Sequence, residues 1–151
     1  MVNSKIIRIT LLISIVIIFS CIDKFDKKLK LVNDTKKNFF QIVKEDTTLL
    51  ISDVNYIDTN SVHRVLKSDD ILYPIFAFKN HGGYTKKINE QCLDSTMYLY
   101  LFEIDSVKKY HWNSIIKKES MFIKKGFKVK DLDSMRWVIK INSLIRNKTG
   151  S

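Results

Sequence analysis

The sequence predicts an α+β fold: a small antiparallel sheet or two-sheet sandwich, with a helical insertion before the last strand and a signal peptide ahead of it all. Three observations carry this expectation. Residues 96–104 alternate between two apolar sides, as a strand does. Residues 105–118 shift to helical spacing, and residues 136–142 return to alternation. A run of strands followed by helices before a final strand is the α+β pattern.

The first element is a leader. Lys5 and Arg8 supply a positive start, and residues 9–19 follow without a charge. As a helix that run is about 16 Å long, against a hydrocarbon core of roughly 30 Å. It is short for a span and has the length of a signal-peptide core. Ile18-Phe19-Ser20-Cys21 closes it. An uncleaved signal anchor and a simple secretory peptide are the alternatives.

These four residues resemble the lipobox of bacterial lipoproteins: aliphatic Ile18, small Ser20, then the Cys. The resemblance implies cleavage between Ser20 and Cys21, a diacylglyceryl thioether on the Cys21 thiol, and a further acyl chain of the palmitate kind on its new amino group. Each buried CH₂ contributes about 0.8 kcal/mol, so two or three chains hold a small domain to a membrane firmly. Ile22 rather than Asp follows Cys21. By resemblance to the sorting rule of enteric bacteria, this implies the outer membrane. The expected organisation is therefore a signal peptide over 1–20, a lipidated Cys and flexible tether over 21–38, one domain over 39–142 and a frayed tail over 143–151. The charge density of residues 22–38 is what suggests a tether.

Within the domain, Phe39 to Val43 is a short strand rich in aromatic and β-branched residues. Thr48 to Ile57 alternates in part and reads as a second. Ile71 to Phe78 is apolar on both faces, but Pro74 confines it to an edge or a bulge. In Thr96 to Ile104, Met97, Leu99 and Leu101 point one way and Tyr98, Tyr100, Phe102 and Ile104 the other. Two apolar faces mean a central strand between covering layers. Asp105 or Ser106 is the expected N-cap of a helix through Lys118, with Val107, Tyr110, Trp112, Ile115 and Ile116 on its apolar side. Met121 to Ile123 then docks on the sheet, Lys124-Lys125-Gly126 breaks the chain, and Asp131 to Met135 forms a short helix. In the last strand Trp137, Ile139 and Ile141 face inward.

Leu99-Tyr100-Leu101-Phe102, Asp105, Trp112 and Ile115, Met121-Phe122-Ile123-Lys124-Lys125, Asp131-Leu132 and Trp137-Val138-Ile139 follow one another over about forty residues. In that order they look like a group of small Bacteroidota lipoproteins. Those usually carry Tyr where Phe122 stands, and Tyr-Pro at the end of the last strand, where this chain has Lys140-Ile141-Asn142. The group has no established activity, so the resemblance implies location and fold but no binding residues.

Composition excludes several classes. The chain has 151 residues, enough for one domain. Two Cys cannot build a multi-bridge scaffold, and with Cys21 lipidated, Cys92 is expected as a small buried hydrophobe. Lys and Arg total 26 against 16 acids, for a formal charge of +10, mostly in scattered Lys pairs. Nucleic-acid readers favour Arg forks, so a solvated surface or contact with anionic headgroups or polysaccharide fits better than nucleic acid. Lys108/Lys109, Lys117/Lys118 and Lys124/Lys125 lie close enough in sequence to share one patch.

No catalytic motif emerges. His63, His81 and His111 lack metal-ligand spacing, no Gly-x-Ser-x-Gly elbow exists, and although Glu103 and Asp105 share a strand face, Asp105 is better explained as a helix cap. No cofactor is expected. The double-glycine stretch Asn80 to Tyr84 is a plain connection or a binding loop in which His81 offers a polar tip and Tyr84 a stacking face. Tyr98, Tyr100 and Phe102 read as core beneath the following helix rather than a sugar platform. The expected function is a membrane-anchored envelope lipoprotein whose small non-catalytic domain binds an envelope protein or polysaccharide. The rivals are an inhibitor or immunity-type lipoprotein against a lytic enzyme or toxin, and a glycan hydrolase.

Overall fold

The computed structural model describes residues 28–54, 65–74 and 83–149. Leader residues 1–20, with Ser20, as well as Cys21, His63 and His81, lie outside them. The order is β1 (Lys30–Val32), β2 (Phe39–Lys44), α1 (Ile51–Val54), β3 (Val65–Leu66), β4 (Ile71–Leu72), α2 (Tyr84–Gln91), β5 (Met97–Glu103), α3 (Ile104–Lys109), α4 (Trp112–Ile116), β6 (Phe122–Phe127), α5 (Val129–Ser134), β7 (Val138–Lys140) and α6 (Ile141–Thr149). These make an α+β fold with two small sheets. One runs β3-β2-β5-β6, all antiparallel; the other runs β4-β1-β7, in which β1 pairs parallel with β7.

Strand β5 organises the whole. Its seven residues alternate strictly, so one sheet face carries Met97, Leu99 and Leu101 and the other Tyr100, Phe102 and, just past its end, Ile104. The first face meets Leu29, Leu31 and Ile139 at the smaller sheet, with Ile88 of α2, Leu132 of α5 and Ile141 and Leu144 of α6, in one apolar cluster. The second meets Val54 of α1, Ile115 of α4 and Phe122 in another. Trp112 stands edge-on to Phe102, with ring centroids 5.3 Å apart and planes at 85°. The expected central strand, with the expected division of its side chains and a helical cover over its aromatic face, is what the structure holds.

Several expectations are corrected. Residues 51–54 are a helical turn, not part of a strand: Lys44 Nζ donates to Asp53 Oδ2 at 2.6 Å, and Leu50 N–H donates to the same oxygen at 2.7 Å. These bonds fold the segment back on β2, leaving Leu50 and Ile51 exposed. The helix expected through Lys118 is two, broken at Tyr110 and His111, whose backbones are extended. Asp105 sits in the first turn of α3, while Glu103 is the residue that caps it, without a side-chain bond. Tyr110 is exposed rather than inward. Lys124-Lys125-Gly126 does not break the chain but completes β6, because a side chain at Gly126 would meet Thr96 and Tyr98 on the neighbouring strand.

The limits of the domain also move. The stretch read as a tether supplies β1, with Leu29 and Leu31 fully buried, and Asn33 is buried as well. Asn33 donates through Nδ2 to the carbonyls of Lys37 and Lys67 at 2.7 and 2.8 Å and so closes the turn behind β1. The stretch read as a frayed tail is α6, held by Leu144 in the core and by Asp34, whose Oδ1 accepts from Asn142 N–H.

Candidate functional site

Two clefts flank α6. The larger, about 310 Å³, is polar and lined by Asp34, Lys140, Asn142, Ser143 and Arg146. Its polar groups already serve the fold: Asp34 accepts from Asn142 N–H at 2.8 Å, and Ser143 Oγ donates to the Lys140 carbonyl at 2.7 Å. The smaller, about 200 Å³, is mostly apolar, with Phe39, Leu101, Met121, Ile123 and Ile145 among its walls. Lys37 and Glu103 stand at its rim in an ion pair of 2.8 Å. Lys37 is exposed and Glu103 partly so, so the pair fixes geometry more than it adds stability. A concave apolar surface with a charged rim suits binding an aliphatic or aromatic group.

Of the expected binding loop, Gly83 and Tyr84 are described, and Tyr84 is half-buried against the core. Its hydroxyl donates to the Pro74 carbonyl, and its ring meets Trp137 edge-on at 6.2 Å. Tyr84 therefore ties α2 to the segment after β4 and to the start of β7. His81 lies outside the described residues.

Cys92 is buried, and burial with the nearby Glu45 charge pushes its thiol up to about 11. Such a thiol is a poor nucleophile at neutral pH. Tyr100 is likewise pushed up to about 12, first by burial and then by Asp46, and its hydroxyl donates to the Thr47 carbonyl at 2.8 Å. Both groups behave as core. Among the described residues, no group of three or more His, Cys, Asp or Glu side chains could hold a metal ion, and no helix is long and apolar enough to cross a membrane.

The lysine pairs lie on different elements. Lys108 and Lys109 end α3, Lys117 and Lys118 follow α4, and Lys124 and Lys125 stand in β6, all of them exposed. Lys124 is engaged: its Nζ donates to the Thr47 carbonyl at 3.1 Å and lies 5.7 Å from the Tyr98 ring centre. Sequence reasoning missed both clefts, because each needs α6. The spacing of Ile141, Leu144 and Ile145 at i, i+3 and i+4 was the available signal for that helix. It also missed Gln41, buried in the middle of β2, whose Oε1 has no hydrogen-bond partner among the described residues.

Compared with known proteins, the chain matches no family model, no curated protein and no solved structure.

Proposed function

We propose that this chain is an acyl-anchored lipoprotein of the bacterial outer membrane whose small α+β domain acts by binding an envelope protein or polysaccharide rather than by catalysis. The observation that carries the reading is a spacing. Among the described residues the apolar core begins at Leu29, only eight positions after the Cys21 that ends the lipobox-like run. A folded unit that close behind a lipidated Cys is held at the membrane surface. The mostly apolar cleft beside α6, rimmed by Lys37 and Glu103, supports a binding role. So do Cys92 and Tyr100, whose shifts carry them away from reactivity.

The intact mass of the chain extracted from its native membrane tests the reading. Loss of residues 1–20 with two or three added acyl chains on Cys21 is the expected result. A full-length mass without acyl chains overturns it.

A further inference from the structure

The three-stranded sheet has one buried face and one open face. Leu31 and Ile139, paired across β1 and β7, are both fully buried, and Leu72 pairs with Leu31 from the other side. Alternation sends their neighbours the other way. Val32 lies between Ile71 and Lys140 in one cross-strand row. One step along, Lys30 pairs with Val138, and the same register brings Tyr73 level with Lys30. Each row therefore holds one lysine and two apolar side chains. This surface is open along its edges: Tyr73 is 56% exposed, Ile71 is 45% exposed and Lys140 is exposed, while Lys30, Val32 and Val138 are half-buried.

Charge on the face itself is basic only. The six positions include no carboxylate. Lys28 is exposed just ahead of β1, and exposed Arg136 precedes Trp137, whose carbonyl accepts the Lys30 N–H at 2.9 Å. The carboxylates around it are engaged: Asp34 and Asp70, just past the end held by Val32 and Ile71, accept from the Asn142 and Ile71 amides, Asp69 accepts from Ser68 Oγ, and Asp133, near Arg136, accepts from Trp137 Nε1. The chain also reaches this face first. The eight steps from Cys21 to Leu29 span at most about 29 Å, and β1 follows directly.

We propose that the open face of this sheet docks on an anionic phospholipid surface, with Tyr73 and Ile71 at headgroup depth and Lys28, Lys30, Arg136 and Lys140 against the phosphates. Tyrosine, with an apolar ring and a polar tip, suits that depth, and lysine stems lie along apolar surface while their ammonium groups reach the headgroups. The proposal rests on the acyl anchor at Cys21, because a single-digit number of basic side chains binds a bilayer durably only when another element keeps it nearby.

The test uses the membrane-extracted protein, its mass measured first, reconstituted into phosphatidylcholine–phosphatidylglycerol vesicles of about 3:1 or into phosphatidylcholine vesicles, and footprinted by lysine acetylation. On the anionic vesicles Lys28, Lys30 and Lys140 are expected to react roughly threefold or more slowly than on neutral ones, while Lys108 and Lys117 change little. High salt should remove most of the difference. Replacing exposed Ile71 and Tyr73 with Ser should weaken the protection without unfolding the chain. Acylated protein with equal rates on both vesicles, or with protection centred on Lys108 and Lys117, overturns docking and leaves the anchor standing. An acyl-free mass overturns the anchor, and docking with it.

Discussion

The backbone amide of Asn142 donates to Asp34 Oδ1 at 2.8 Å, joining residues 108 positions apart. Asn142 is the second residue of α6, so the carboxylate satisfies one of the amides that a helix start leaves without an internal partner. The turn after β1 thereby holds the helix that walls both clefts. Asp34→Ala should cost about 1 kcal/mol, within the range for a lost cap, and lower the midpoint by roughly 3–6 °C. Asp34→Asn keeps an acceptor and should retain most of the stability. Paired thermal melts distinguish the two; an unchanged Asp34→Ala midpoint would mean that water replaces the carboxylate without loss.

Trp137 is nearly buried, touches Tyr84 and donates through Nε1 to Asp133 Oδ1 at 2.8 Å. Trp137→Ala removes both contacts and opens a large cavity, for an expected loss of about 3–5 kcal/mol by chemical denaturation.

Arg136 has φ 52° where α5 gives way to β7, with its N–H bonded to the Asp133 carbonyl and the Trp137 N–H bonded to the Leu132 carbonyl. That is the closing turn of a helix whose left-handed position usually holds Gly. Arg136→Gly should therefore stabilise the fold by about 0.5–1 kcal/mol, since relief of the left-handed conformation outweighs the added freedom of the unfolded chain. A lower denaturation midpoint would show that the arginine side chain contributes more than its backbone costs.

A Cβ at Gly126 would lie 2.9 Å from Thr96 Cγ2 and 3.1 Å from Tyr98 Cε1. Gly126→Ala should destabilise by about 1–3 kcal/mol, the usual cost of an extra methyl group in a filled space. Thr96→Ser removes Cγ2 and keeps the hydroxyl that donates to the Asp94 carbonyl. The double variant should thus recover part of the loss, a coupling that a double-mutant cycle reads directly.

Alkali should unfold the protein earlier than neutral thiols and phenols would predict. Cys92 rises from 9.0 to about 11 and Tyr100 from 10.0 to about 12, so the folded state keeps protons that the unfolded state releases. Their stabilisation is full below about pH 9 and is lost progressively towards pH 12. Denaturant midpoints across that window should fall, and Cys92→Ala should flatten the lower half of the slope.

Legibility in the sequence followed how far each segment depends on its own side chains. Strand β5 was readable because Met97, Leu99 and Leu101 oppose Tyr100 and Phe102 whatever surrounds them. Strand β1 was hidden because its buried Leu31, and Leu29 just before it, stand among Lys27, Lys28 and Lys30, and local charge outweighed a three-residue pattern. The turn at Ile51–Val54 depends on Lys44 reaching Asp53, nine positions away, which no alternation count registers. Gly126 was read as a breaker, since only the approach of Thr96 and Tyr98 explains a glycine inside a strand. At the sites, the burial of Cys92 was legible from the lack of any activating motif nearby. The inward turn of Tyr84 was not, because Trp137 lies more than fifty positions away.

One strand lies between two apolar clusters that have no buried residue in common. Pulling β5 out of register exposes Leu99 and Leu101 on one side and Tyr100 and Phe102 on the other in the same event. The helices above and the smaller sheet below thus have no independent melting transition: both lose their support when that strand leaves. The domain should behave as one cooperative unit, with the β5 amides the last to exchange with solvent.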